Sequence, residues 1–200
     1  IHFRGNSILN FAITYRNLDL IKYFVEKKKL ALDIGDNVNT MHPFTTAYRL
    51  TKEEVQKPES NKILKYIWDQ IKKDVKWEET DFNGENIAFR LLDIKAEYNE
   101  TDKTPSKLEL DVLKRNEVWN KLNVEKFSIL SMLINFNFKK YHKVLNGKNI
   151  DFTIKNGYGQ TIIDESEESG EAGWYEYFKK KKSKQKSIKC DDIKVKNYTY

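Results

Sequence analysis

Gly5-Asn-Ser-Ile-Leu-Asn-Phe-Ala-Ile-Thr-Tyr-Arg-Asn-Leu-Asp-Leu-Ile-Lys-Tyr-Phe24 reads as a tight turn, a short helix, a second turn and a second helix. Ile8, Leu9, Phe11 and Ala12 share one face of the first helix, and Leu20, Ile21, Tyr23 and Phe24 one face of the second. Asp19 stands near the start of that second helix, where a carboxylate complements the dipole. The first half recurs as His42-Pro43-Phe44-Thr45-Thr46-Ala47 and as Gly159-Gln160-Thr161-Ile162-Ile163. A turn–helix–helix unit that repeats along a chain points to a solenoid, an architecture that presents extended binding surfaces.

Five such units follow one another. In the second, Pro43 suits the first helical position, and Ile63, Leu64, Ile67 and Trp68 line the partner helix. Residues 51–60, with Pro58, read as a long loop or a helical extension. The third unit opens at residues 81–87, has a polar Pro-containing loop near 97–106, and continues in a helix over 108–122 that includes Val118 and Trp119. The fourth comprises 127–134 and 141–145. The fifth opens at Asn156-Gly-Tyr-Gly159 and closes on Trp174, Tyr175, Tyr177 and Phe178. The position of Ala12 recurs at Ala47, Leu91, Leu133 and Ser166, at spacings of 35, 44, 42 and 33 residues. The two long intervals contain the two long polar loops.

These residues resemble the ankyrin repeat family, whose pattern is a Gly turn, Thr-Pro-Leu-His-x-Ala and an apolar second helix. Gly5, Ser7, Leu9 and Ala12 match in the first unit, Pro43, Phe44 and Ala47 in the second, and Gly159, Thr161, Ile163 and Ser166 in the fifth. Leu91 and Leu133 depart from the small inner residue and are expected to push their helices apart. The resemblance covers roughly residues 1–180 and implies an all-α, ankyrin-like helix–turn–helix solenoid. The structural alternative is an irregular all-α domain with the same amphipathic pairs and different turns.

Charge divides the chain in two. Residues 179–200 hold nine lysines against two aspartates, whereas the first 178 carry 27 basic and 28 acidic side chains. We therefore expect a repeat domain at 1–178 and a Lys-rich tail at 179–200. A basic groove for nucleic acid needs cations spread over the folded body. The tail cations Lys179, Lys180, Lys181, Lys182, Lys184 and Lys186 suit either a solvated helix end or an anionic partner such as nucleic acid or a charged surface. Residues 193–200 alternate in the manner of a short strand.

No run of about 18 apolar residues occurs, so no membrane span is expected. The start, Ile1-His2-Phe3-Arg4, lacks an initiator Met and reads as a fragment or a processed form rather than a signal peptide. The single cysteine, Cys190, forbids an intramolecular disulfide and favours a reducing compartment such as the cytoplasm. Flanked by Asp191 and Asp192, it is a poor nucleophile.

Catalytic chemistry is hard to assemble. His2, His42 and His142 lie far apart, and no metal-ligand spacing appears, so no metal or cofactor is expected. An enzyme would need His42 or His142 beside a carboxylate in a pocket; capping is the simpler role for His42. Asn156-Gly-Tyr-Gly159 lacks the Lys-Ser/Thr of a phosphate loop, and residues 164–168 lack the oxygen spacing of a calcium loop.

The composite reading is a non-enzymatic binding module with a protein partner, of which an inhibitor or immunity-type protein is one specific form. Asn37, Asn39, Asn83, Lys155 and Tyr158 are expected at turn tips, and Tyr15, Arg16, Tyr48 and Arg49 on the concave side of first helices. Tyr15, Tyr48, Tyr141 and Tyr158 are candidates for a stacking platform or interface anchors. Tyr23, Phe24, Trp68, Trp119 and Trp174 are expected in the core.

Overall fold

Ten α-helices follow one another in five consecutive pairs among the described residues. The computed structural model describes residues 2–3, 6–30, 32, 42–53, 57–72, 80, 83–115 and 118–184. A minimal hairpin, β1 (His2–Phe3) with β2 (Asn6–Ser7), precedes the first pair. The pairs are α1 (Ile8–Thr14) with α2 (Leu18–Lys22), α3 (Pro43–Leu50) with α4 (Lys57–Ile71), and α5 (Ile87–Glu97) with α6 (Lys107–Leu113). Then come α7 (Ile129–Leu133) with α8 (Phe138–Tyr141), and α9 (Ile162–Glu168) with α10 (Ala172–Lys184). A π-helical turn, Tyr23–Lys27, extends α2, and a 3-10 turn, His142–Leu145, extends α8. No described helix is long and apolar enough to cross a membrane.

Capping sets the helix boundaries. The Phe44 N–H donates to His42 Nδ1 at 3.1 Å, so His42 caps α3 ahead of Pro43. Asn17 and Asn86 cap α2 and α5 through their side-chain oxygens. Ser106 with Glu109, Ser128 with Ser131, and Thr161 with Asp164 form reciprocal capping boxes on α6, α7 and α9. Helices α1 and α5 end alike. Arg16 and Asn99 each take a φ of 55°, and the following N–H reaches back five residues: Asn17 to the Ala12 carbonyl, Glu100 to the Lys95 carbonyl.

First helices stack in chain order, α1 on α3, α3 on α5, α5 on α7 and α7 on α9. Behind them α2 packs on α4 and α8 on α10. Ala12, Ala47, Leu91, Leu133 and Ser166 are all at most 1% exposed, so one continuous core runs the length of the row. At Leu91 and Leu133 the leucine side chain itself fills the volume at this inner position.

Residues 57–60 belong to α4, the helical extension of the two readings of residues 51–60, with Pro58 in its first turn, where a missing N–H is tolerated. Two expectations need correction. The helix expected over 108–122 ends at Leu113. Beyond it, Val118 and Trp119 lie in a turn with no exposure at all. In the segment that follows, asparagine side chains bond loop backbone in place of a helix: Asn120 serves Asn149 and Asp151, and Asn123 serves Phe127. Tyr23, expected in the core, is 45% exposed at the start of the π-helical turn, where its ring meets the Lys28 ammonium instead of the core. Cys190, Asp191, Asp192 and residues 193–200 lie outside the described residues.

Candidate partner-binding face

The turns before α7 and α9 are the same structure 33 residues apart. Leu122 bridges Ser128, and Lys155 bridges Thr161. Within these bridges the Asn123 N–H donates to the Phe127 carbonyl at 2.9 Å, and the Asn156 N–H to the Gln160 carbonyl at 2.8 Å. Each asparagine then accepts, on its side-chain oxygen, the N–H of the residue four further on. Lys126 and Gly159 take the positive φ, 61° and 80°, two residues before the cap. Gly84, at 72°, stands two residues before Asn86 in the same way. Such backbone is cheap for glycine and strained for lysine.

Turn tips touch their neighbours. The Val124 N–H donates to the Asn83 carbonyl at 2.7 Å. A Cβ on Gly157 would lie 2.9 Å from the Glu125 carbonyl oxygen, so only glycine lets the fifth turn seat on the fourth. Gly157→Ala is expected to cost about 1–3 kcal/mol by overpacking, seen as a lower urea midpoint with an unchanged slope.

This seating presents Tyr158 to solvent. Its N–H is held by Asn156 Oδ1 at 2.9 Å, its side chain is 79% exposed, and its ring meets the edge of Phe127 at 5.8 Å between centroids. Val124, 64% exposed, lies on the adjoining turn. Beside these residues opens a groove of about 320 Å³ whose lining includes Phe89, Phe127 and Met132 together with Glu85, Asp93, Glu125 and Glu165. Arg90 pairs with Glu85 at 2.8 Å and with Asp93 at 3.5 Å. Burial raises the Glu165 carboxyl, against a hydrogen bond from Ser131 at 3.1 Å. The face therefore combines exposed aromatic surface with an excess of carboxylates.

Other expected contacts distribute differently. Tyr15 is 69% exposed and packs on Phe11 at 4.4 Å. Arg16 is held by Glu53 at 2.5 Å and Ser60 at 3.2 Å, and Arg49 by Glu97 at 2.6 Å, so both serve contacts between helix pairs. Lys155 is exposed beside its backbone bridge, and Asn83 is half-buried. Asn37, Asn39 and Lys186 lie outside the described residues. Lys179, Lys180, Lys181, Lys182 and Lys184 continue α10 across the expected boundary at 178, in its last turns, where cations suit the dipole. Lys179 and Lys181 also lie over the rings of Tyr175 and Tyr177.

Tyr48 and Tyr141 require correction. Both are interior, 3% and 0% exposed, since each hydroxyl has a partner inside the protein. Tyr141 donates to the Lys103 carbonyl at 3.2 Å. Tyr48 donates to Glu109, the hub of a buried charge cluster. Both Glu109 oxygens accept from Lys95 Nζ at 3.2 Å, and the Ser106 N–H donates to Oε2 at 2.7 Å. Lys52 lies 3.7 Å from Glu109 and 2.5 Å from Glu100, which also pairs with Lys103 at 2.7 Å. Burial depresses the Lys95 ammonium, and it pushes the Tyr48 hydroxyl far up with help from Glu109. Burial would raise Glu100, but hydrogen bonds from Lys103 and Lys52 outweigh it and hold the carboxyl at about 2.

His142 directs Nδ1 at the Phe138 carbonyl, 2.9 Å away, and stacks on the Phe138 ring. Among the described residues no group of three or more His, Cys, Asp or Glu could hold a metal ion. The sequence reading missed Val124, Phe127 and the groove carboxylates; its available signal was the apolar pair Val124 and Phe127 flanking a polar turn.

No family model matches the chain, and no curated protein matches it. Among solved structures, a chain from the complex of a predatory endopeptidase of Bdellovibrio bacteriovorus with an immunity protein is similar. The identity is 20% and the TM-score 0.40, with 90% of this chain and 100% of that chain covered. A likeness this distant fixes neither fold nor function.

Proposed function

We propose that the five helix pairs form an ankyrin-like solenoid and that the protein is a non-enzymatic module that binds another protein. The observation that carries this reading is Tyr158, an aromatic side chain exposed on a turn whose backbone is fixed by Asn156, Gly157 and Gly159. A rigid turn holding an aromatic anchor loses little entropy on association, and tyrosine is among the residues that dominate interface energies. The 33-residue equivalence of the last two turns and the stacking of first helices support the repeat reading. The face runs from Tyr158 and Lys155 across Phe127 and Val124 to the acidic groove. Its shape suits occlusion of another protein's surface, the task of an inhibitor or immunity-type protein.

Capture from the native host with immobilised protein, read by quantitative mass spectrometry, tests the proposal. The intact protein is expected to retain a protein that the Tyr158→Ala variant loses by about thirtyfold, corresponding to a hot spot of roughly 2 kcal/mol. The variant should unfold at the same urea concentration, because the side chain is exposed. Retention indifferent to Tyr158 would remove this face from the interaction. Recovery of nucleic acid, lost on charge reversal at Lys179 and Lys180, would favour the basic helix end instead.

A further inference from the structure

The second-helix side carries a different surface. Helices α2 and α4 pack together, as do α8 and α10, but between α4 and α6 lies an open groove of about 670 Å³. One wall is Lys65, Trp68 and Asp69 of α4 with Lys72 just past its end. The other is Lys107, Leu108 and Asp111 of α6, with Lys114 and Arg115 just past its end. Five cations and two aspartates thus meet in one groove, on a body whose overall charge is close to balance. Lys65, Lys107 and Lys114 have no side-chain ion pair within 4.0 Å among the described residues. Lys72 pairs with Asp69 at 2.5 Å.

The two walls share an order: cation, apolar residue, aspartate, cation. Lys65 and Lys72 are seven residues apart, as are Lys107 and Lys114, which places each pair about 10.5 Å apart along its helix. We infer that this groove binds an acidic amphipathic helix of a partner protein, with carboxylates at i and i+7 on the lysines and apolar residues at i+3 and i+4 over Trp68 and Leu108. The spacing of such a helix equals that of the walls, and its apolar stripe covers their centre. A nucleic-acid strand fits poorly. It carries a charged phosphate at every nucleotide with no apolar interval, and Asp69 and Asp111 would face it at mid-groove.

The probe is a fluorescein-labelled helical peptide of roughly 20 residues with this Glu and Leu spacing, titrated with the whole protein by fluorescence anisotropy. Saturable binding is expected, weakened about tenfold or more by Lys65→Glu with Lys114→Glu and by added salt. Charge reversal at Lys179 and Lys180 and the Tyr158→Ala change should leave it unaltered, which separates this groove from the face proposed above. Far-UV circular dichroism and the urea midpoint verify that the reversed variant folds, and Lys107→Glu gives a second, independent reversal. No binding, equal binding of a composition-matched scrambled peptide, equal or tighter binding of single-stranded oligothymidine, or indifference to both reversals would each overturn the inference.

Discussion

Replacing Glu109 with leucine is expected to remove about 3–5 kcal/mol of stability, the cost of leaving buried partners without their counter-charge. Four groups lose their acceptor at once: the Tyr48 hydroxyl, the Lys95 ammonium, the Ser106 N–H and, at longer range, Lys52. Lys95→Met should cost less. Glu109 then keeps Tyr48, Ser106 and Lys52, and the depressed Lys95 ammonium shows that its burial already opposes the charge. The double variant should be more stable than the sum of the two losses, because two apolar side chains replace a buried pair. Urea unfolding of the three variants measures the coupling; strict additivity would mean that the pair does not act as a unit. Glu100 adds a pH dependence. Its folded value, about 2, lies below the ordinary glutamate value of 4.5, so its stabilisation is complete above roughly pH 5. It is lost as pH falls from there toward 2, and the Lys52→Met variant should show a shallower acid transition.

Trp174→Ala is expected to cost about 3–5 kcal/mol, the range for truncating a large buried aromatic. The side chain has no exposure, stacks on Phe178 at 5.6 Å and meets Phe138 edge-on at 5.1 Å. Its Nε1–H donates to the Phe136 carbonyl at 2.8 Å, which fastens α10 to the loop before α8. Trp174→Phe keeps much of the area and loses the hydrogen bond, so roughly 1–3 kcal/mol should separate it from the parent. Thermal unfolding followed by near-UV circular dichroism distinguishes the two. An alanine variant within about 1 kcal/mol of the parent would show that α10 is held by its lysine-rich end instead.

Local pattern carried much of the helical layout. Ile63, Leu64 and Ile67 at helical spacing, Pro43 behind His42, and the polar loop near 97–106 all describe the chain as folded. Two kinds of information were invisible to it. One is competition between side chain and backbone: the apolar run through Val118 and Trp119 looks helical, but Asn120 spends its amide on the loop at 149–151 and Asn123 on its own turn at Phe127. The other is long-range pairing. Tyr48 and Glu109 are 61 residues apart, and nothing near either announces that one hydroxyl satisfies the other's carboxylate. The groove facing α4 and α6 was hidden for the same reason. Each wall is an ordinary amphipathic stripe, and only their juxtaposition concentrates five cations.

First helices that pack in strict chain order have a consequence for how the protein opens. Pairs at the ends have a single neighbour, whereas the third is joined to the second by Arg49–Glu97, Lys52–Glu100 and Tyr48–Glu109, and to the fourth by the seated turns. Opening is then expected to proceed inward from either terminus, and amide hydrogen exchange should show a protection that rises toward α5 rather than one uniform rate. The middle of the chain, where the repeat pattern is faintest, is thermodynamically its keystone.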